Sequence, residues 1–402
     1  MKKYVFVSRT VFGIGGGQLY IANKVDYLAR RDYSVSTVST SIHSVNGTIF
    51  YNSLKQADNH VFTDLTLPPE VYSLKKRNKI INNVIDTLGL SKNDEIILES
   101  NYLVGSIWAE RIAEQLECKH IVFCVSEHNK IDRYMCEFSE FKFRRGELSS
   151  ISAKSFSELI AQSAIVNADN LPILRAYLGD PISDEKNEKL EEIEKSDYNI
   201  CIIGRGGKRY VDFACESVID FCKCHPDIYV TVGLVSQFSD SENFKKIKDA
   251  FLSVSNIKFY HLGYLSPIPK DIFKLFDLYI GGAGCASLCY RQGVLTIAMD
   301  LYNDRPIGFM GYDTCITNCI SSESSNMQEY LEDAIIRKEY LKKEYTQPII
   351  ITEEEAFSLH DKFIKDSSSE KNYYTKPDKS ISLKEKIKAK FPFLIKLRKM
   401  LK

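Results

Sequence analysis

The heptapeptide GRGGKRY, residues 204–210, sets an arginine fork (Arg205) and a lysine point charge (Lys208) around two glycines, directly after the apolar run NICII. Charge at the end of a buried strand is out of place unless something anionic is to be met there. A diphosphate suits it: the two cations would neutralise charge that builds on a leaving group, while bare glycine backbone lets it come close. The alternative is an ordinary basic turn. A second segment, GGAGCAS at 281–287, again follows a strand-like run and precedes a helix-like one. Gly282 and Gly284 permit close approach of the backbone, and Ser287 could add a hydroxyl to the N–H groups of the helix end. A glycine turn that serves packing alone is the other reading. Together the two segments would make a two-sided phosphate clamp within one domain.

A third glycine cluster, Gly13, Gly15, Gly16 and Gly17, lies in VFGIGGGQLY near the start. It does not satisfy G-x-G-x-x-G, because Gln18 stands where the last glycine would be, and the strand YSVSTVST that follows ends in hydroxyls rather than a ribose-holding acid. It does not satisfy a Walker A loop either, since Gln18-Leu19-Tyr20 replaces Gly-Lys-Ser/Thr. Gly16 and Gly17 at a helix start can still offer open N–H groups and a positive helix end to an anion, or simply make a tight turn.

These loops need a scaffold that brings them to one edge. KKYVFVS, YSVSTVST, EIILES, HIVFCVS and SAIVNA read as strands, with QLYIANKVDYLARR and GSIWAERIAEQL as intervening helices. Such alternation predicts a parallel sheet covered by helices on both faces, its strand-closing loops at one edge. Residues 179–199, GDPISDEKNEKLEEIEKSDYN, are acidic and polar and read as a solvated connection. The pattern then restarts with NICIIGRGGKRYVDFACESVIDFC, IYVTVGLVS, NIKFYHLGYL, LFDLYIGGAGCASLCYRQG and VLTIAMD. The expected architecture is therefore α/β, with two doubly wound, Rossmann-like domains facing a central cleft, where such sheets bind ligands. The expected boundaries are 1–178, a linker at 179–198, 199–345, a helical segment at 346–365 and a polar linker with basic tail at 366–402.

Bulk composition agrees with this plan. At 402 residues the chain exceeds one ordinary core, and 44% hydrophobic with 26% charged residues is typical of a soluble globular protein. A net charge of zero supplies no global field for steering onto nucleic acid. Eleven cysteines, none in a C-x-x-C pair, point to small buried thiols in a reducing cytosol. No run approaches a membrane span and no leader pattern is evident, which predicts a cytoplasmic protein.

The order of GGGQLY after the first strand, GRGGK at the start of the second half, LGYL, a glycine-serine loop and GVLTIAMD resembles that of GT-B glycosyltransferases, in particular the large family that builds bacterial surface polysaccharides. The resemblance runs over about residues 1–345. It implies a nucleotide-sugar donor on the C-terminal half: Arg205 and Lys208 on its diphosphate, Gly282, Gly284 and Ser287 cradling it, and the loop at Gly263 and Tyr264 along the base. Gly16 and Gly17 would border the cleft on the acceptor side. It also implies a histidine at the end of a central strand of the first domain, a position that His128 fits after HIVFCVSE. An imidazole there could accept the acceptor's proton, and Glu127 is a second candidate for the same work.

Two departures matter. Relatives carry a ribose-gripping glutamate where Leu288 or Cys289 stands here, and the Arg205–Lys208 spacing is shorter than usual. No Asp-x-Asp pair for a GT-A metal site is present, DSE at 240–242 being a weak variant, so neither an essential divalent metal nor another cofactor is expected.

Residues 384–402 hold eight bases and one acid, with Ile387, Phe391, Leu394 and Leu401 at near-helical spacing. Such a segment could lie on an anionic bilayer, pack across the domains or remain solvated. The whole points to a glycosyltransferase at the inner membrane face, moving a sugar from a nucleotide donor to a glycan acceptor, expected to be lipid-linked, in cell-surface polysaccharide biosynthesis. Its rivals are a non-catalytic GT-B-like glycan-binding or transferase-partner protein and a sugar epimerase.

Overall fold

The computed structural model describes residues 1–12, 15–40, 54, 56–126, 133–160, 171–237, 241–317 and 326–375. The chain divides into two units, Met1–Gly179 with Ile351–Lys402, and Asp180–Ile350.

In the first unit the elements run β1 (Lys2–Ser8), α1 (Gly16–Ala29), β2 (Ser34–Ser39), β3 (Asn59–Phe62), α2 (Leu74–Thr87), β4 (Glu95–Ser100), α3 (Leu103–Leu116), β5 (Lys119–Cys124), α4 (Arg133–Arg144), β6 (Leu148–Ser150) and α5 (Ala153–Leu159). Six parallel strands stand in the order β3-β2-β1-β4-β5-β6. The continuous apolar run of β1 follows from burial on both faces. Tyr4 and Phe6 point to a core shared with Tyr20 and Val25 of α1, whereas Val5 and Val7 point to one shared with Val84 of α2 and Trp108 of α3.

The second unit repeats the plan: β7 (Ile182–Ser183), α6 (Glu188–Glu191), β8 (Tyr198–Ile203), α7 (Arg209–Cys224), β9 (Val230–Val235), α8 (Ser241–Leu252), β10 (Ile257–Gly263), β11 (Ile268–Pro269), β12 (Leu278–Gly282), α9 (Ala283–Arg291), β13 (Thr296–Met299), β14 (Pro306–Phe309) and α10 (Met327–Glu332). Its main sheet has the order β10-β9-β8-β12-β13-β14, with only the last pair antiparallel. Ile200 and Ile202 of β8 face α7 and α8, and Cys201 and Ile203 face Leu288 and Cys289 of α9.

The stretch expected as a solvated connection is instead folded onto this unit. β7 pairs in parallel with β11, and Leu190 and Ile193, three residues apart, are buried beside Ile272 and Phe276. Two apolar side chains on one turn suffice to anchor an otherwise acidic segment.

The chain returns to the first unit through α11 (Glu353–Asp366), whose start carries a capping box between Thr352 and Glu355. Phe357 and Ile364 enter the α1 side of the core. The polar stretch beyond α11, expected as a linker, is also packed as far as Tyr374, which is 4% exposed. Charges, not apolar area, hold its backbone: Arg111 donates to Tyr374 O (2.7 Å), Glu110 accepts from Tyr374 N (2.9 Å) and Arg145 donates to Glu370 O (2.6 Å). Ten described cysteines are free thiols, six of them buried. Among the described residues no helix is long and apolar enough to cross a membrane. The basic segment 384–402 lies outside the described residues.

Candidate functional site

β8 and β12 are neighbours in register, Ile203 opposite Gly281, so the loops that leave their carboxyl ends are adjacent. The strand order reverses there: the connection after β8 runs to one side of the sheet and the one after β12 to the other, which is where open α/β sheets take ligands. Arg205 is exposed and Lys208 half-buried; among the described residues neither side chain has an acidic partner. Gly207 takes φ +81°, which turns the chain into α7. Lys208 caps that helix without a side-chain bond. Two cations at a helix N-terminus oppose the helix dipole, an arrangement that an anion would relieve. Arg209 instead reaches Asp304 beyond β13, with Nε 3.5 Å from Oδ2.

β12 passes into α9 with no residue between them, and Ala283 holds φ +46°, a left-handed conformation uncommon for a residue with a Cβ. This sharp junction presents the first amides of α9 at the sheet edge, uncapped by any side chain and with no acid in the first turn. The two loops meet over one ring. A Cβ at Gly204 would stand 2.4 Å from the Tyr210 hydroxyl oxygen, and one at Gly282 3.2 Å from Tyr210 Cζ and 2.8 Å from Leu301 Cδ2. Gly282 is thus required by protein packing, because Tyr210 and Leu301 take the space that a side chain would fill. Gly284 is exposed and Ser287 half-buried on the same first turns.

Tyr264, at the carboxyl end of the edge strand β10, is 36% exposed. Burial raises its phenol above the ordinary value, a hydrogen bond with Ser266 works against the rise, and the Cys285 thiol of α9 adds to it. The Cys285 thiol is itself pushed up to about 11 by burial, which leaves it protonated at neutral pH. Leu288 and Cys289, at the positions of the absent glutamate, are both buried in the sheet-facing core.

No family model matches the chain, and no curated relative does. Solved structures similar to it include a glycosyltransferase from Rickettsia africae, with TM-score 0.59 and 12% identity over 99% of this chain and 98% of that one. HepE of Anabaena, solved with UDP and glucose, gives 0.58 at 10% identity over 92% and 96%. The UDP-GlcNAc 2-epimerase of Neisseria meningitidis, bound to UDP-GlcNAc, gives 0.51 at 12% identity over 91% and 100%. The chain has the GT-B glycosyltransferase-like fold.

Within the first GT-B unit, Gly16 is exposed at the start of α1 with only Leu178 methyls near, 3.8 Å from an added Cβ. Gly17 is tighter, 3.1 Å from Val125 Cγ2. His128 and Glu127 lie outside the described residues. The described residues also hold groups that the sequence reading passed over. Ser100 Oγ and His120 Nε2 stand 2.8 Å apart, and His120 Nδ1 donates to Glu110 Oε2 (2.6 Å), the residue order of a hydrolase triad. All three are buried, Ser100 at 0% exposure, so the set serves as internal structure. Burial and the neighbouring Lys142 lower the His120 imidazole below its ordinary value, against the opposing pull of Glu110. Burial pushes the Glu110 carboxyl up, but Lys142 and His120 outweigh it and hold it well below its ordinary value. In the second unit Asp300, after β13, is fully buried; Oδ1 accepts from Tyr302 N (2.8 Å) and Oδ2 has no partner among the described residues. Among the described residues no three His, Cys, Asp or Glu side chains gather as a metal site.

Proposed function

We propose that the chain is a glycosyltransferase that takes a sugar from a nucleotide-diphosphate donor held by the second unit. One observation carries this reading: Arg205 and Lys208, two cations without acidic partners among the described residues, stand beside the uncapped start of α9 at the switch point of a Rossmann-like sheet. Fixed positive charge and open amides at one place match the charge that grows on a departing diphosphate, without reorganisation at the moment of reaction. Gly284 and Ser287 would sit against the phosphates, and Tyr264 would flank the base. The sheet spacing puts the end of β10 about 10 Å from that of β8, roughly the span from a diphosphate to a base.

The acceptor would be a glycan presented to Gly16 and Gly17 of the first unit, with His128 taking the hydroxyl proton and Glu127 as the other candidate base. Cations and helix ends would replace a metal in supporting the leaving group. A lipid-linked acceptor, with residues 384–402 on an anionic membrane face, would place the enzyme on the inner surface of the cell membrane. The test is release of free nucleoside diphosphate from a panel of nucleotide sugars with membrane extract as acceptor source. Release that falls by about tenfold or more in Arg205→Ala supports the reading. The second reading, a glycan-binding partner without turnover, draws on buried Leu288 in place of a ribose-holding carboxylate; glycan binding with no diphosphate release would favour it.

A further inference from the structure

We propose that the first unit binds an acidic sugar, held by Arg9, the open first turn of α1 and the amide of Asn101. The inference rests on the glycosyltransferase reading and names the class of its acceptor. Arg9 follows the last residue of β1 and is exposed. Its carbonyl accepts from Thr40 N (3.1 Å) and Thr40 Oγ1 (2.5 Å), which fixes the backbone, while its guanidinium has no acidic partner among the described residues. The next residue is tied to α1, because Gln18 Nε2 donates to Thr10 O at 3.2 Å. α1 is 14 residues long, starts from Gly15 and, among the described residues, has neither a side-chain cap nor an acid in its first turn, which leaves its positive end uncompensated by side chains. Arginine and helix end together favour an anion.

A separate feature points to a hydroxyl-bearing ligand. Asn101 is 3% exposed, and its Nδ2 donates to Glu99 Oε1 (3.2 Å) and Phe123 O (3.4 Å). Its Oδ1 is buried with no partner among the described residues. Glu99, two residues earlier and so on the same face of the sheet, is gripped by Tyr20 and Lys24 of α1. Asn101 lies nearer the carboxyl edge, where its N–H donates to Val7 O (3.3 Å), two residues before Arg9. An unpaired buried carbonyl is costly, and a sugar hydroxyl would satisfy it. A bare anion would leave Asn101 unpaired, and a neutral sugar would leave Arg9 and the helix end unused. The shared chemistry is therefore a pyranoside with a carboxylate or a phosphate.

The test is ligand-observed NMR titration of the full chain with methyl glucoside, methyl glucuronide and methyl 6-phosphoglucoside. The anionic pair should bind at least about tenfold more tightly than the neutral one, and whichever of the two is tighter identifies the source. Arg9→Ala should remove that preference, Arg9→Lys should keep part of it and Arg205→Ala should leave it intact; Arg9 is exposed, so its variants fold. Equal binding of the neutral glycoside, full retention in Arg9→Ala, or no saturable binding of either anionic glycoside overturns the proposal. UDP titrated in parallel reports on the donor reading alone: UDP binding lost in Arg205→Ala, with no anionic preference, sinks only the acidic pocket. Anionic preference with no UDP binding sinks only the donor assignment.

Discussion

Arg205 and Lys208 precede a helix whose first turn carries Asp212, and their own charges run against the helix dipole. Without ligand, Lys208→Ala should leave stability unchanged or raise it by about 0.3–1 kcal/mol, read from the urea midpoint, while nucleoside diphosphate affinity falls. Ala283 tells a similar story one strand away. Its φ of +46° is one that glycine adopts without strain, so Ala283→Gly should stabilise the fold by about 1 kcal/mol. Gly282→Ala has the opposite sign, because its Cβ would strike Leu301 and the Tyr210 ring; a loss of about 1–3 kcal/mol is expected in the same denaturation experiment. Leu288→Glu would not restore a ribose contact. Leu288 is 3% exposed against the sheet, and a carboxylate there should cost several kcal/mol, about 3 or more, and give insoluble or unfolded protein rather than a better enzyme.

At the level of elements, α11 is bolted to the first unit through a buried charge network. Lys24 Nζ and the Tyr4 and Tyr20 hydroxyls all donate to Glu99, and His360 of α11 donates Nε2–H to Arg175 O at 2.9 Å. With that proton placed, Nδ1 accepts, and burial together with Lys24 lowers the His360 imidazole to about 4. The unfolded chain therefore binds a proton at this residue that the folded chain refuses between about pH 6.5 and 4, so stability is full above 6.5 and declines as pH falls through that window. The decline should be about 3 kcal/mol, should be detected as earlier release of residues 353–366 in hydrogen exchange, and should shrink in His360→Gln. Such docking was not readable from TEEEAFSLHDKFIKD, which shows a capped helix but not its partner. Long strands were readable because β1, β2, β4, β5, β8, β9, β10, β12 and β13 are apolar or β-branched runs closed by glycine or polar turns. β3, β6 and β14 were not: three or four residues such as LSS and PIGF give no period. Residues 367–374 read as unanchored because their anchors are backbone groups facing Arg111, Arg145 and Glu110, which no hydropathy pattern records. In the site, the glycine–cation cluster announced Arg205 and Lys208, whereas Tyr210 looked like one more aromatic at a helix start and turned out to be the ring on which both loops rest.

Taken whole, the molecule repeats one strand order in two units. The second unit gathers at its switch point positive charge that has no acidic partner among the described residues, the feature on which the proposed donor assignment stands. The chain then returns to the first unit through residues 351–375, so the first unit is completed by the end of the described chain. Ligand should accordingly protect 204–208 and 283–287 first. The most direct measurement is a thermal-shift series with the common nucleoside diphosphates on the parent protein and on Arg205→Ala. One nucleotide should raise the parent's melting temperature in a concentration-dependent way, by about 2.7 kcal/mol of added stability at a hundredfold excess over Kd, and should do little for the variant. A flat response to every nucleotide, or an undiminished shift in Arg205→Ala, would contradict the account.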